Sequence, residues 1–172
     1  MTNPVADAFL RQIDLVEHDL LALAKAVPDE RYDFRPAGAF FDGARTFGEQ
    51  VRHAATMIFM TAAIVLEEKS PHGPGTHDNG PADLHGKARI VGYLEASLGY
   101  ARKAMASLTP ANHLDPLKTY FGWQPRIEVA AGVAYHSYNH YGQMVVYARL
   151  IGVVPPSTTQ IAEVSPGLPG ER

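Results

Sequence analysis

Residues 135–152 read YHSYNHYGQMVVYARLIG, and this stretch decides how the chain folds. At about 100° per residue, one side of a helix over this region carries His136, His140, Met144 and Tyr147, which is the spacing of a core-facing row. The two histidines are four residues apart, so their imidazoles lie one above the other, about 6 Å apart along the axis. The pattern predicts a helix that carries two imidazoles into the core.

Buried imidazoles need partners, because each ring brings a donor and an acceptor. His53 has the same requirement, since no side chain from His53 to Leu66 carries a permanent charge and the segment reads as a central helix. A divalent metal ion can bind one nitrogen of each ring while a nearby acceptor takes the other N–H. Three nitrogens from two facing helices leave coordination positions open. We therefore expect His53, His136 and His140 to bind one metal ion.

Each histidine also has an alternative without metal. A single His53 is typical of a hydrogen-bonded core histidine, and the pair on the later helix fits a polar network with neighbouring tyrosines or Gln143. The pair and the single histidine on two buried helices together favour the metal. His72 and His77, with Asp78, could bind metal adventitiously, although a solvated loop fits them better. The remaining histidines are expected outside the core, on a helix flank, at a helix start or in a loop: His18, His85 and His113.

Four segments have the apolar periodicity of amphipathic helices, and Gly- and Pro-rich connections separate them. The predicted helices cover residues 5–27, 46–68, 83–108 and 126–151. Thr46 and Glu49 form a predicted capping box at the second helix, and Gly152 follows the last. Strand signals are scarce, so the connections are expected to be loops. Two of them, 28–45 and 109–125, are long enough to cross the fold.

Helices of this length can bury their apolar sides only against one another, so the predicted fold class is all-α, a four-helix bundle with long crossover connections. The chain has 172 residues, 46% of them hydrophobic, which suits one domain. We expect that domain to cover residues 1–154 and a Pro- and Gly-rich tail to cover residues 155–172.

Composition excludes several classes of function. The net charge of −3 gives no electrostatic footprint for nucleic acid or for an anionic membrane. The chain has no cysteine, which excludes disulfides, thiolate metal sites and cysteine nucleophiles. The first residues contain no apolar signal-peptide core, and residues 54–66 are too short a run to span a bilayer. We expect a cytoplasmic protein with neither nucleic acid nor membrane as partner.

Two stretches together resemble the DinB-like (YfiT-like) superfamily of bacterial metalloenzymes: GARTFGEQVRHAA at 43–55 and HSYNHYGQMVVYARLIGVVPPST at 136–158. The shared pattern is one histidine early in the second helix, H-x3-H in the last, then HYGQ and a YxRxxG-xx-PP ending. The resemblance implies a four-helix bundle with non-sequential packing, often a homodimer. It also implies nickel, zinc or a similar divalent ion, with iron and manganese as further candidates, on His53, His136 and His140.

The resemblance also suggests a reaction, because relatives include thiol-dependent S-transferases and a mycothiol-dependent isomerase. The first hypothesis is an enzyme whose metal activates a low-molecular-weight thiol or water to attack a small electrophile, of S-transferase or hydrolase type. Residues 137–139 contain no Glu, which argues against a metalloprotease arrangement. Glu49 and Gln143 are the candidate catalytic residues. The alternative is a non-catalytic metal-binding protein, stress-induced, with a structural or interaction role.

Three further features could border the site. Gln50 and Tyr147 could line its opening together with Gln143. The aromatic stretch TYFGW at 119–123 fits a dimer contact, a pocket wall or ordinary loop packing equally well.

Overall fold

A computed structural model describes residues 3–158, and this part of the chain is mostly helical. The described elements are α1 (Pro4–Val16), α2 (Ala22–Ala26), α3 (Phe47–Leu66), α4 (Lys87–Ala106), β1 (Pro116–Thr119), β2 (Gly122–Pro125) and α5 (Arg126–Leu150). None of the described helices combines the length and the hydropathy needed to cross a bilayer. Of the predicted tail, residues 155–172, the part from residue 159 onward lies outside the described residues.

The helical segment predicted over residues 5–27 is present from Pro4 to Ala26, with one irregularity that the sequence does not predict. A π-helical turn, Glu17–Leu21, separates α1 from α2. The wider turn accompanies the burial of both Leu20 and its neighbour Leu21, which a regular helix would direct to different sides. The apolar residues that recur at three- and four-residue steps in this segment are all buried: Phe9, Ile13, Val16, Leu20, Leu23 and Val27.

The capping box at the start of α3 is confirmed. The Glu49 N–H donates to Thr46 Oγ1 at 3.2 Å, and the Thr46 N–H donates to Glu49 Oε2 at 2.7 Å. These two bonds satisfy backbone donors that an uncapped helix start leaves free. They fix where α3 begins and therefore where His53 lies on it.

Helix packing does not follow chain order. α3 packs most extensively against α4 and α5, while α1 packs against the same two helices and shares few contacts with α3. The connection 28–45 therefore joins helices on different sides of the molecule. α3 and α5 are antiparallel, because Gln50 bonds to Gln143 at one end and Arg126 donates to the Val65 carbonyl at the other.

α4 begins at Lys87, four residues later than predicted. Gly86 precedes it with φ +77°, a left-handed conformation that a right-handed helix cannot include. The residues before it form a turn closed by the Leu84 N–H and the Pro81 carbonyl at 3.3 Å.

The prediction that residues 109–125 form only a loop is wrong. β1 and β2 pair antiparallel, with Pro116 opposite Pro125 and Thr119 opposite Gly122. Tyr120 and Phe121 form the tip between them. The strands have four residues each and carry a proline at their outer ends, so they are too short to give an alternating pattern.

Candidate metal centre

His53, His136 and His140 converge between α3 and α5. Their ring centroids are 4.5 to 5.2 Å apart, and one nitrogen of each ring lies within 4.8 Å of the others. The Nε2 atoms of His53 and His136 are 3.2 Å apart. The antiparallel packing of α3 and α5 therefore brings together the three imidazoles that the sequence places in two distant segments.

Burial differs among the three rings. His53 and His140 are each 6% exposed, whereas His136 is half-buried. His136 and His140 are one turn apart on the same side of α5, and His140 is the more deeply buried of the two. The cluster is thus enclosed on most sides and reaches the surface at His136.

The proton of His53 is placed by a backbone carbonyl. His53 Nδ1 lies 3.0 Å from the carbonyl oxygen of Asp78, and a carbonyl can only accept. Nδ1 therefore donates, and Nε2 keeps its lone pair towards the other two rings. Metal-binding histidines characteristically have this second partner, which fixes tautomer and ring orientation.

The proton of His140 is placed by a chain of two amides. Gln143 Nε2 donates to the Asn139 carbonyl at 3.4 Å, which leaves its Oε1 to accept from Gln50 Nε2 at 3.0 Å. Gln50 Oε1 then accepts from His140 Nδ1 at 2.7 Å. The Nε2 lone pair of His140 is consequently free for the cluster.

Two arginines hold the loop before α4 beside the cluster. Arg45 donates from Nε to Asn79 Oδ1 and from Nη2 to the His77 carbonyl, both at 2.8 Å. Arg52 donates from Nε to the Asn79 carbonyl at 3.0 Å and from Nη2 to the Pro81 carbonyl at 2.8 Å. These bonds fix the backbone whose carbonyl accepts from His53.

Burial and charge keep the three rings neutral. Burial, followed by the positive charge of Arg45, lowers the pKa of His53 to about 4. Burial also lowers the pKa of His140 to about 3, with the neighbouring imidazoles of His136 and His53 acting in the same direction. The pKa of His136 is lowered by burial and then by Arg45. Neutral imidazoles are the form that binds metals.

The donor set fits a divalent ion. Nitrogen ligands about 2.0 to 2.1 Å from a tetrahedral zinc ion lie about 3.3 to 3.4 Å from each other. The Nε2 atoms of His53 and His136 lie 3.2 Å apart, close to that separation. Imidazole nitrogen suits zinc, nickel, copper and iron. These residues could therefore hold the metal ion that the sequence predicts.

The other candidate residues have different surroundings. The Glu49 carboxylate caps α3 and lines a cavity of about 350 Å³ whose lining does not include the three histidines. Gln50 is 3% exposed and bonds to the His140 ring. Gln143 supports Gln50, so both act behind the cluster. Tyr147 is buried against the Phe34 ring with centroids 5.9 Å apart, and is a core residue.

Among the remaining histidines, His72 departs from its prediction. It is half-buried and packs edge-on against the rings of Phe59 and Tyr93, with centroids 4.9 and 5.2 Å apart, so it is not a solvated loop residue. His18 is exposed as predicted and lies 3.0 Å from Asp19.

A groove of about 350 Å³ opens beside the cluster, and His136 forms part of its wall. Thr119, Tyr120 and Phe121 of the β1–β2 tip also line it, which agrees with the pocket-wall alternative for residues 119–123. Sequence reasoning missed the groove as a whole. Its only signal was the run of aromatic residues in a connection.

Comparison with known proteins supports the fold and identifies the family. The family model described as the DinB superfamily matches residues 12–144. Among solved structures, the chain is similar to a DinB-like protein from Bacillus cereus, with TM-score 0.67 and 18% identity over 87% of this chain and 95% of that one. At this identity the likeness shows the fold alone. No curated protein matches the chain. The chain belongs to the DinB superfamily.

Proposed function

We propose that the protein is a metal-dependent enzyme that uses one divalent ion, nickel or zinc, on His53, His136 and His140. The observation that carries this proposal is the convergence of three neutral imidazoles at the end of an open groove. In two of these rings, Nδ1–H donates a hydrogen bond to a fixed oxygen acceptor, so Nε2 is the nitrogen available to the ion. Metal-binding histidines characteristically have such a second partner.

The donor set favours catalysis over a purely structural ion. Within residues 3–158, the group that could hold a metal comprises the three histidines and includes no carboxylate. Structural zinc sites characteristically have four protein ligands, whereas catalytic sites have three and keep a position for water or substrate. When bound, the ion would lower the pKa of a thiol or water and so supply a nucleophile near neutral pH.

The reaction that we favour is transfer of a low-molecular-weight thiol to a small electrophile. The sulfur attacks the electrophilic carbon, a C–S bond forms, and the C–halide bond breaks as the halide leaves with its electron pair. The thiol proton passes to solvent. The chain contributes the enclosure of the rings, the fixed lone pairs and the groove beside His136. Hydrolysis of the same electrophile by water is the competing reaction.

Two further proposals, on helix arrangement and on oligomeric state, follow from family membership. We propose that the helices form the four-helix bundle of the superfamily and that two copies associate as a homodimer. Neither proposal is needed for the site, because all three histidines come from one chain.

The test combines metal analysis with turnover. Protein purified without a histidine tag should contain about one divalent ion per chain by elemental analysis. His140→Ala should weaken zinc or nickel binding at least about 100-fold, since a ligand matters more than its supporting residue. His18→Ala, which removes an exposed histidine, should bind as the wild type does.

Turnover separates catalysis from the non-catalytic alternative. The metal-loaded protein should accelerate conjugation of monochlorobimane with a low-molecular-weight thiol, and His140→Ala should abolish this while its circular dichroism stays unchanged. Stoichiometric metal without any thiol transfer or hydrolysis, together with unfolding on chelation, would favour the structural role.

A further inference from the structure

The groove beside the cluster follows the seam between α3 and α5. Met57, Met60 and Ile64 of α3 form one wall, and α5 forms the other from Glu128 to His136. These α3 residues follow His53 at helical spacing, so the apolar wall continues directly from the cluster. The β1–β2 tip supplies the rest of the lining.

The length of the groove is set by α5. Glu128 and His136 are eight residues apart, which corresponds to about 12 Å along the axis. With a volume of about 350 Å³, the groove can take a molecule the size of a bicyclic aromatic compound. One end of such a molecule would lie beside His136 and the other beside the start of α5.

The lining determines which molecules fit. Apart from Thr61, His136 and the polar residues at the start of α5 and in the hairpin, it consists of thioether, aliphatic and aromatic side chains, including Met57, Phe121 and Tyr135. Thioethers adapt to irregular apolar shapes and contact aromatic rings favourably. An ionic ligand would lose hydration against these side chains, which offer it neither an opposite charge nor a hydrogen bond from the apolar wall.

At the end formed by the start of α5, three polar side chains are paired with one another. Thr119 Oγ1 donates to Gln124 Oε1 at 2.7 Å, and Gln124 Nε2 donates to Glu128 Oε1 at 2.7 Å. The exposed Glu128 carboxylate adds a negative charge to this end. An anionic ligand would be repelled there, and a neutral one would not.

We propose that this groove binds the electrophilic substrate, and that the substrate class is neutral, apolar and aromatic, with its reacting carbon towards His136. The reaction part of this inference rests on the proposed function, whereas binding to the groove does not. The polar thiol would then reach the cluster from outside the groove.

Binding is tested with N-phenyl-1-naphthylamine, a neutral aromatic probe whose fluorescence rises in apolar surroundings. The chelated full-length protein should bind it, and Met60→Glu should weaken binding at least about tenfold by placing a carboxylate in the wall. Leu15→Glu makes the same change at an exposed apolar position on α1 and should bind as wild type does. Equal probe binding by wild type and Met60→Glu would refute the proposal that the probe binds in this groove.

Position relative to the cluster is tested with Co²⁺. Probe resonances should broaden in Co²⁺-loaded protein relative to Zn²⁺-loaded protein, most strongly at one end of the ring system. Probe binding without such broadening, in protein shown to hold Co²⁺, would place the probe elsewhere and overturn the inference. Failure to bind any metal would instead refute the proposed function and leave the fluorescence result standing.

Substrate class is tested with a matched pair of electrophiles. Conjugation of methyl 4-chloro-3,5-dinitrobenzoate should exceed that of 4-chloro-3,5-dinitrobenzoate at least about tenfold in kcat/KM, because only the second carries a carboxylate. Equal or reversed preference would overturn the class. A groove closed by a second copy of this chain would also overturn it: Met60→Glu would then turn a dimer into a monomer, and neither form would bind the probe.

Discussion

At the residue scale, the proton on each of two imidazoles is set by groups that can only accept. The Asp78 carbonyl does this for His53 directly. For His140 the same constraint is transmitted by Gln50 and Gln143, because each amide uses its oxygen and nitrogen in a fixed sense. The side chains behind the cluster therefore determine which nitrogen faces the metal.

Replacement of Gln50 tests this role. Gln50→Leu removes the acceptor of His140 Nδ1 and should lower zinc affinity about 10- to 100-fold, which is the usual effect of losing a supporting residue. Gln50→Glu keeps an acceptor and should retain affinity within a few-fold. Chelator competition measures both. Equal affinities for the two variants would show that the amide does not position the ring.

At the element scale, the loop before α4 acts as a brace for His53. His77 and Asp78 both adopt left-handed backbone conformations, with φ +55° and +58°. Such conformations are uncommon outside glycine, and they persist when surrounding bonds hold them. Here those bonds come from Arg45, Arg52 and the His53 ring.

Arg52→Met should loosen this brace. The substitution removes two hydrogen bonds that a charged side chain donates. Each such bond contributes up to about 3 kcal/mol to the free energy of unfolding. We expect faster amide hydrogen exchange at residues 76–80 and a several-fold loss of metal affinity. Arg89→Met is the control, since Arg89 is exposed and bonds to Asp83 away from the cluster. Unchanged exchange in the loop would contradict the brace.

Gly132 shows how α5 makes room for the groove. A Cβ added there would meet Thr61 Cγ2 at 3.4 Å, an ordinary contact. Gly132→Ala should therefore stabilise the helix by about 1 kcal/mol and raise Tm by about 2 to 4 °C. It should also weaken binding of the naphthylamine probe, because the methyl group narrows the groove.

Gly99→Ala supplies the matched control for this substitution. It lies within α4, and an added Cβ meets nothing within 4 Å. The gain in Tm should be similar and probe binding should not change. Equal probe affinity in both alanine variants would show that Gly132 does not determine the space available to the probe in the groove.

At the scale of the whole molecule, burial of the cluster couples stability to pH. The folded-state pKa values of His53 and His140, about 4 and about 3, lie below the unfolded value of 6.5. Below pH 6.5 the unfolded chain takes up protons that the folded chain does not. The contribution of these two histidines to the free energy of unfolding is therefore fully present above pH 6.5. It is lost progressively as the pH is lowered towards 4.

Denaturation of the chelated protein between pH 7.5 and 4.5 measures this coupling. Each buried histidine should contribute a slope approaching about 1.4 kcal/mol per pH unit within the window. His140→Gln removes one titrating ring, so its free energy of unfolding should fall less steeply than that of the wild type. Parallel curves for the two proteins would show that His140 is not held neutral by folding.

Much of the fold and the three histidines could be predicted from the sequence, because both depend on relations within a helix. The capping box at Thr46 and the apolar row of α5 repeat at fixed local spacing, so they need no knowledge of the rest of the chain. The same spacing identifies His53, His136 and His140 as polar residues in apolar rows. The three candidate ligands could therefore be identified without knowledge of the fold.

The surroundings of the three histidine rings follow from tertiary packing. The Asp78 carbonyl carries no side-chain signature, and Gln50 meets His140 across 90 positions of chain only because α3 and α5 are antiparallel. The β1–β2 hairpin packs against those same helices and is too short to show a pattern of its own. Contacts between distant segments depend on how helices pack, and local spacing does not encode that; the partners of the rings and the groove could therefore be found only in the folded molecule.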